Sequence, residues 1–292
     1  MDRFWTDVPP VTRAWSGAMS LTAALISLQR VKTVTLLFVP DKAFANESWR
    51  IFTSFCVSKG ISLDLLMEIF YIRSSCGRVE DVFSTTHAIL PERTVDAFDD
   101  TQRHTLRLFI DRNRAVDFLY FFIQVAASVL VVATVLYYRA GVGLFSLGHL
   151  LCRVFMYIDS QNSPHAEMNI LGLFAFRRMY FPWVTALVDL VPNRAVREDV
   201  VKLIVLGDMA IWGNPKVWFY FTSIALGHFW WTCRELVLSN AHYDDDDQRR
   251  GVKRNAMLKY GVYKIDVARE FLMWLFIPPW YWVILAKIKN RR

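Results

Sequence analysis

The chain has 292 residues, of which 54% are hydrophobic and 15% aromatic, including 11 Trp and 22 Phe. A soluble domain of this length reaches such values only with difficulty, so the composition argues against an ordinary water-soluble protein. The formal net charge of +7 is spread along the chain, which fits an anionic membrane surface better than a nucleic-acid groove. The lipid bilayer is therefore an expected partner, and nucleic acid is not.

Apolar runs along the chain predict six membrane-spanning helices. A spanning helix needs about 17–25 residues, and several of these runs are shorter, so the bundle must thin the bilayer locally or lie partly outside it. Lys and Arg are more frequent on the side of the membrane that holds the N-terminus, which predicts that both termini are cytosolic. The predicted spans are about 13–31, 61–76, 115–138, 143–158, 179–192 and 216–236.

The segment "ESWRIFTSFCVSKG" (47–60) predicts a short amphipathic helix between the first two spans. On a helix, its apolar stripe is formed by Trp49, Phe52, Phe55 and Cys56. This stripe is too short and its other face too polar to cross a bilayer. We therefore expect an interfacial helix in the first lumenal loop.

Three further segments do not fit the six spans. The stretch 73–114 is rich in Arg interleaved with acidic residues and is interpreted as a solvated connector. Residues 193–215 carry one interrupted apolar patch, which favours an interfacial helix on the lumenal side over a span. Residues 271–286 are apolar but broken by Pro278 and Pro279, which predicts an interfacial or re-entrant hairpin on the cytosolic leaflet. The aromatic side chains expected at headgroup depth are Trp274, Trp280, Tyr281 and Trp282.

Polar and ionisable side chains recur within the predicted spans. Charged groups at bilayer depth are unfavourable, so they usually face the interior of a bundle or a wet cavity. One interpretation is that these groups pair with one another, Glu68 with Arg153 for example, and only hold the bundle together. The other is that polar faces on most spans form a hydrophilic groove between the helices. The residues that would line this groove are Asp64, Glu68, Gln124, Ser146, His149, Arg153 and His228.

The sixth predicted span contains a signal for close helix packing. In "SIALG", Ser223 and Gly227 are four residues apart. This small-xxx-small spacing lets two helix backbones touch. As a lone motif it is weak, because such spacings often arise by chance.

Known catalytic and cofactor motifs are absent from the sequence. No HExxH, Walker A or GxGxxG pattern occurs, and the four cysteines lack CxxC spacing, so they are predicted to be free thiols and neither metal nor cofactor is expected. Ser146 lies in "GLFSLG" and His228 follows on another span, so an intramembrane Ser–His dyad is one hypothesis. However, the chain lacks the GxSG pattern in which close glycines expose a rhomboid-type serine and supply oxyanion donors.

Six ordered landmarks resemble those of the Derlin family, rhomboid-like pseudoproteases of the endoplasmic reticulum. The resemblance covers residues 4–238 and includes "FWTDVPPVTRAW" at the first span and "ESWRIFTSF" in the following loop. It continues with "RVEDVF" after the second span, "AVDFLYFF" opening the third, "LGLFAFRRMYFPWVTAL" at the fifth and "ALGHFWW" in the sixth. Six landmarks in one order at matching separations are specific, whereas any one alone is not.

The resemblance implies a fold and a role for the first loop. The expected fold is an all-α, six-helix rhomboid-like membrane domain at 1–238, followed by a cytosolic tail at 239–292. Trp49 and Arg50 would hold the gate above the polar groove, the arginine bonding backbone and acidic groups while the tryptophan anchors the loop in the leaflet. A stabilising anchor without substrate contact is the alternative role for this pair.

The resemblance also implies a function. The protein would be a non-enzymatic factor of endoplasmic-reticulum-associated degradation that receives misfolded proteins, promotes their retrotranslocation and passes them to a membrane ubiquitin ligase complex. It leaves open whether the protein works as a homo- or hetero-oligomer. The SHP box by which some members recruit an AAA ATPase, Phe-x-Gly-x-Gly-x-x-Leu, does not occur, so contact with that ATPase is expected to be indirect.

The chain also departs from the family pattern, and alternatives remain open. Residues 193–212 are interpreted as an insertion, and the usual Asp and first Gly of the sixth span appear as Tyr220 and Ser223. One alternative function is an active intramembrane serine protease that uses Ser146 with His228. Another is a membrane adaptor that binds partners but moves nothing.

Overall fold

The computed structural model is mostly helical, with a two-stranded hairpin among the residues that it describes. It describes residues 8–57, 60–85, 89–91, 94–95, 97–170, 174–206, 209–238 and 271–290. Strands β1 (Glu167–Ile170) and β2 (Phe174–Arg177) pair antiparallel. The longer helices are α1 (Pro10–Ser27), α2 (Leu63–Tyr71), α3 (Asp100–Ala140), α4 (Leu147–Asn162), α5 (Phe181–Leu190), α6 (Arg194–Leu206), α7 (Pro215–Trp231) and α8 (Pro279–Lys289).

Shorter helical segments extend or connect these helices. The π-helical turn Ile72–Cys76 and the helix Gly77–Val82 continue α2, and the π-helical Thr232–Leu238 continues α7. Each of the six predicted spans coincides with one of the longer helices, and the helix predicted within 47–60 lies at Trp49–Thr53. The remaining short segments are Thr33–Leu36, Pro40–Ala43, Arg178–Tyr180 and Met209–Gly213.

The prediction that 73–114 is a solvated connector is wrong in large part. Gly77–Val82 is helical, and α3 begins at Asp100. Leu106 and Ile110, four residues apart and therefore on one helix face, are buried, while Arg107 between them is exposed. An amphipathic helix thus explains the alternating charges that suggested a loop.

One helix in the described part of the chain is long and apolar enough to cross a membrane by length and composition. This helix is α3, with 41 residues. Its length corresponds to ~62 Å, about twice the thickness of the hydrocarbon core of a bilayer. The six-helix membrane bundle and the interfacial placement of Trp49–Thr53 stay predictions.

The chain divides into two compact units. The first comprises Met1–Asp81 with Val125–Phe229, and the second comprises Val82–Gln124 with Trp230–Arg292. In the first unit α4 is buried along most of its length. Burial all around a helix is typical of one surrounded by other elements. The boundary predicted at residue 238 separates membrane from cytosol, and it stays a prediction.

The first loop is joined to the start of α4 by backbone hydrogen bonds. The N–H of Phe38 donates to the carbonyl of Phe145 at 2.9 Å, and the N–H of Gly148 donates to the carbonyl of Ser54 at 3.0 Å. A Cβ at Gly148 would lie 2.5 Å from the carbonyl oxygen of Phe55, so only glycine permits this approach without a shift. The loop is therefore held directly over the N-terminus of α4.

The second unit is built around residues 271–290, which we call the C-terminal segment. The helix break expected at the two prolines is confirmed, because α8 begins only at Pro279. Gln102 Nε2 donates to the carbonyl of Ile288, and Gln124 Nε2 to that of Leu275, each at 3.0 Å, so the segment runs antiparallel to α3. The buried residues of their shared core are Leu90, Val95, Phe98, Leu106, Ile110, Met273, Ile277, Tyr281, Leu285 and Ile288.

Candidate functional site

Glu68 on α2 faces His149 on α4. The side chain of Glu68 is 4% exposed, and its Oε1 lies 2.9 Å from Nδ1 of His149, a pair that is ionic only when the imidazole is protonated. Neither carboxylate oxygen has hydrogen-bond geometry with any residue that the structure describes. Glu68 therefore pairs with His149, and the suggested pair of Glu68 with Arg153 is wrong.

Arg153 lies one turn beyond His149 on α4. Its guanidinium carbon lies over the rings of Tyr71 and Tyr220, 5.4 Å and 5.7 Å from their centres. Its Nη1 lies 3.8 Å from Sδ of Met156, which is a weak acceptor. No carboxylate within the described ranges lies at ion-pair distance from this guanidinium. Cation–π contacts from α2 and α7 thus replace the usual counter-ion.

Tyr220 also links α7 to α5. Its hydroxyl donates to Oδ2 of Asp189 at 2.9 Å, and Nζ of Lys216 lies 3.7 Å from Oδ1 of the same carboxylate. Asp189 and Lys216 have about half of their side-chain surface exposed, so this ion pair contributes little to stability. A line of polar side chains therefore crosses α2, α4, α5 and α7, and we call it the polar row. Its members are Glu68, His149, Arg153, Asp189, Lys216 and Tyr220.

Asp64 and Gln124 have other surroundings. Asp64 lies in the first turn of α2 and is exposed, whereas Glu68 one turn later is buried, so the two do not present one buried face. An acidic side chain in the first turn interacts favourably with the helix dipole. Gln124 belongs to the second unit, where it bonds Leu275. Their assignment to a substrate groove stays a prediction.

The Ser–His dyad considered from the sequence is not assembled. Ser146 directly precedes α4, and its buried Oγ has no hydrogen-bond partner among the described residues. Nδ1 of His228 instead lies 3.0 Å from the hydroxyl of Tyr157. Tyr157 is eleven residues beyond Ser146, or ~16 Å along the helix. Proton transfer between a nucleophile and its base needs contact at about 3 Å, so Ser146 and His228 do not form a dyad in this arrangement.

Arg50 is buried and joins separate parts of the first loop through hydrogen bonds and an ion pair. The residue is 3% exposed, and its Nη1 donates to the carbonyls of Val34 at 2.7 Å and Leu37 at 2.9 Å. Its Nε also pairs with the carboxylate of Glu47. The expected bonds to backbone and acidic groups are therefore confirmed. Trp49 next to it is 51% exposed, and the gate role of the two residues stays a prediction.

The small residues of α7 allow close packing on α4, as predicted. A Cβ at Gly227 would lie 2.6 Å from Cβ of Tyr157. Ser223 is 2% exposed, and its Oγ donates to the carbonyl of Tyr220 at 2.8 Å. The close approach at Gly227 brings His228 to the hydroxyl of Tyr157.

Glu80 caps α1, a role that the sequence analysis missed. Its carboxylate accepts the N–H of Val11 at 2.9 Å, the N–H of Thr12 at 2.8 Å and the hydroxyl of Thr12 at 2.7 Å. These N–H groups have no partner within the helix, so an acid from elsewhere in the chain replaces the usual N-cap side chain. Thr12 lies in the landmark "PPVTR" and Glu80 in the landmark "RVEDVF". That both belong to family landmarks was the signal in the sequence that could have suggested the contact.

An ion pair that the sequence analysis also missed lies in the same unit. Arg78 donates to Asp159 through two nitrogens, with Nε–Oδ1 and Nη2–Oδ2 distances of 3.0 Å and 2.6 Å. Nη1 of Arg178 lies 4.0 Å from the same carboxylate, whose side chain is 5% exposed. This bidentate geometry joins the end of α4 to the extension of α2.

The second unit has its own buried polar cluster around Asp117. This carboxylate accepts the hydroxyl of Thr85 at 2.9 Å, the indole N–H of Trp280 at 3.0 Å and the hydroxyl of Tyr281. Burial raises the pKa of Tyr281, and the adjacent carboxylate raises it further. A cavity of about 40 Å³ adjoins the cluster, which is room for one or two water molecules. The tail aromatics Trp280 and Tyr281 thus bond protein groups.

The described residues contain no group of three His, Cys, Asp or Glu side chains placed to hold a metal ion. The four cysteines are free thiols, as predicted. Burial raises the pKa of Cys56 in the first loop. Nothing in this arrangement of thiols therefore marks a reactive centre.

Comparisons with known proteins identify similar chains. The model of the Der1-like family matches residues 8–211. Derlin-1.2 of Zea mays is 24% identical over 203 residues, which cover 69% of this chain and 71% of that protein. Derlin-2.2 of Arabidopsis thaliana is 20% identical over 210 residues, covering 70% and 75%, and Derlin-2 of Oryza sativa subsp. japonica is 21% identical over 210 residues, covering 70% and 74%. The range matched by the family model includes Glu68, His149, Arg153 and Asp189.

Proposed function

The chain belongs to the Der1-like family, and from this premise we propose that it is a Derlin-like factor of endoplasmic-reticulum-associated degradation. The family membership confirms the resemblance inferred from the six landmarks. The protein lies in the endoplasmic reticulum membrane with both termini in the cytosol, and it performs no catalysis. It receives misfolded proteins in a polar groove and promotes their passage to the cytosol.

The observation that carries this proposal is the polar row. Glu68 and Arg153 lie on helices that the sequence predicts to span the bilayer, yet neither has a saturated set of partners within the described residues. A pair that only stabilises the bundle needs well-made hydrogen bonds to offset the removal of its charges from water. Incompletely partnered groups at membrane depth are instead typical of a pathway for polar ligands.

Short helices support local thinning of the bilayer. α5 has 10 residues, or ~15 Å of helix, against a hydrocarbon core of ~30 Å. A helix of this length is accommodated when the bilayer thins around it. A polar chain crosses more easily where the hydrocarbon layer is thin and hydrogen-bonding groups line the way.

The partners of the proposed factor are a membrane ubiquitin ligase complex and, indirectly, a cytosolic AAA ATPase. The ATPase contact is indirect because the chain has no SHP box. The protease alternative is disfavoured by the ~16 Å of helix between Ser146 and the residue that bonds His228. An adaptor that binds partners without moving clients is the remaining alternative.

The test is the half-life of a misfolded client in cells that carry variants of the polar row. Glu68→Gln and Arg153→Met, singly and together, remove charge at nearly constant volume and are expected to slow clearance. Lys202→Gln is the matched control, because this exposed residue of α6 also loses one charge. Normal clearance by the folded double variant would contradict the groove.

Two further measurements separate the alternatives. Covalent labelling of Ser146 by a fluorophosphonate probe would show that the protein is a serine hydrolase. Co-purification of the ligase complex, with no change in client half-life when the protein is depleted, would favour the adaptor.

A further inference from the structure

Arg153 carries a positive charge that no described carboxylate neutralises. Arg50 and Arg78, also in the first unit, each contact an acidic side chain directly. Among the described residues, Arg153 contacts only two tyrosine rings and a thioether sulfur in this way. It is partly exposed, so its N–H groups reach the space beside the helices. A guanidinium has five N–H donors, and most of those of Arg153 lack an acceptor in the part of the chain that the structure describes.

The position of Arg153 restricts what can supply those acceptors. It is the seventh residue of α4, ~9 Å from the first residue and ~14 Å from the last. Phosphates of lipids lie outside the hydrocarbon core, ~15 Å from its centre. A group at the middle of a spanning helix is therefore reached more readily by a side chain of a membrane-embedded polypeptide than by a lipid headgroup.

The helices that contact Arg153 also expose apolar side chains. Phe70, which precedes Tyr71 on α2, and Phe221, which follows Tyr220 on α7, are 55% and 54% exposed. A ligand that matches both these helix surfaces and the cation has an apolar body and one anionic group. The planar edge of a guanidinium pairs with a carboxylate through two parallel hydrogen bonds.

We propose that Arg153 binds the carboxylate of an Asp or Glu side chain in a membrane-embedded segment of the client. This inference rests on the proposed function and names the class of client that the groove selects. Misplaced acidic residues in a transmembrane segment are then the recognised feature. The two tyrosines hold the guanidinium in place, and Arg153 supplies the hydrogen bonds.

The test measures association of synthetic single-span peptides with the purified full-length protein in phosphatidylcholine vesicles at pH 8. Three Leu/Ala-rich peptides differ only at the central residue, which is Asp, Asn or Ala, and energy transfer reports binding. The Asp peptide is expected to bind the wild type about tenfold more tightly than the Ala peptide, as one charge-assisted hydrogen bond predicts. Arg153→Met should reduce this ratio to about one.

Two other variants keep the test decisive. Arg153→Lys preserves the charge in a folded protein and should retain part of the preference, while Lys202→Met removes an exposed charge and should leave the ratio unchanged. An equal preference in wild type and Arg153→Met would overturn the proposal, as would an absent preference in the wild type. A phospholipid retained by the wild type and lost by Arg153→Met in native mass spectrometry, without any peptide preference, would assign the site to lipid and also overturn it.

The outcomes distinguish this inference from the proposed function. Failure of the inference is seen in vesicles, as the absence of an Asp preference that depends on Arg153. Failure of the proposed function is seen in cells, as normal client clearance by variants that have lost that preference.

Discussion

Replacing Glu80 removes the acceptors that cap the first turn of α1. Glu80 is 3% exposed and Thr12 is fully buried, so water cannot take the place of the carboxylate. Glu80→Ala leaves the N–H groups of Val11 and Thr12 and the Thr12 hydroxyl without their acceptor. Glu80→Gln keeps one acceptor oxygen but removes the charge and places an amide N–H₂ against backbone donors.

The magnitude follows from these three bonds. A hydrogen bond to a charged group contributes about 1.5–3 kcal/mol, and the bonds at one carboxylate are not additive. A negative charge at the start of a helix adds up to about 2 kcal/mol in a buried setting. We expect Glu80→Ala to lower the free energy of unfolding by about 3–5 kcal/mol and Glu80→Gln by about 2 kcal/mol.

The assay is unfolding of the detergent-solubilised chain, followed by circular dichroism as denaturing detergent is added. Cys76 gives a local readout, because its buried sulfur lies 3.4 Å from the hydroxyl oxygen of Thr12. Maleimide labelling of Cys76, mapped by mass spectrometry, should accelerate in both Glu80 variants. Asp81→Asn is the control, since Asp81 is exposed and adjacent. Unfolding and labelling of Glu80→Gln at the rates of Asp81→Asn would refute the capping argument.

Other positions give further tests. Gly227→Ala places a methyl group 2.6 Å from Cβ of Tyr157, so it should destabilise by about 1–3 kcal/mol, and an unchanged melting temperature would contradict the close packing of α7 on α4. Arg50→Ala should increase proteolysis of the first loop far more than Trp49→Ala, because Arg50 is buried with three partners and Trp49 is half exposed. Equal cleavage of the two variants would be inconsistent with a structural role of Arg50 in this loop. A cysteine added after Arg292 should react with an impermeant maleimide from the cytosolic side, and labelling only from the lumen would mean that the six-span count is wrong.

Apolar runs located the helices well, because each run is a local property of the chain. α4 and α7 lie where the runs predicted them, and the two prolines correctly placed the start of α8. The stretch 73–114 was misjudged because its many charged residues hid a pattern of buried apolar residues, such as Leu106 and Ile110, that decides its packing. Hydropathy alone does not show which face of such a helix is buried.

The contacts of the polar row were harder to predict than its members. Glu68, His149 and Arg153 were all identified, but whether Glu68 would pair with His149 or Arg153 depends on the rotation of α2 against α4. The roles of Glu80 and Asp117 were not predicted at all. Their partners lie 68 and up to 164 residues away in sequence, and no local pattern encodes such contacts.

The C-terminal segment completes the core of the second unit, and this determines when that unit can fold during synthesis of the chain. Gln102 and Ile288, which are hydrogen-bonded, are 186 residues apart in sequence. When the ribosome releases Leu106 and Ile110, the residues that complete their core have not yet been made. The second unit therefore matures only after residues 271–290 have been made, and the first half of α3 must wait with an uncovered apolar face. A chain that stops before residue 271 would carry its folding defect at α3, far from the point where it was cut.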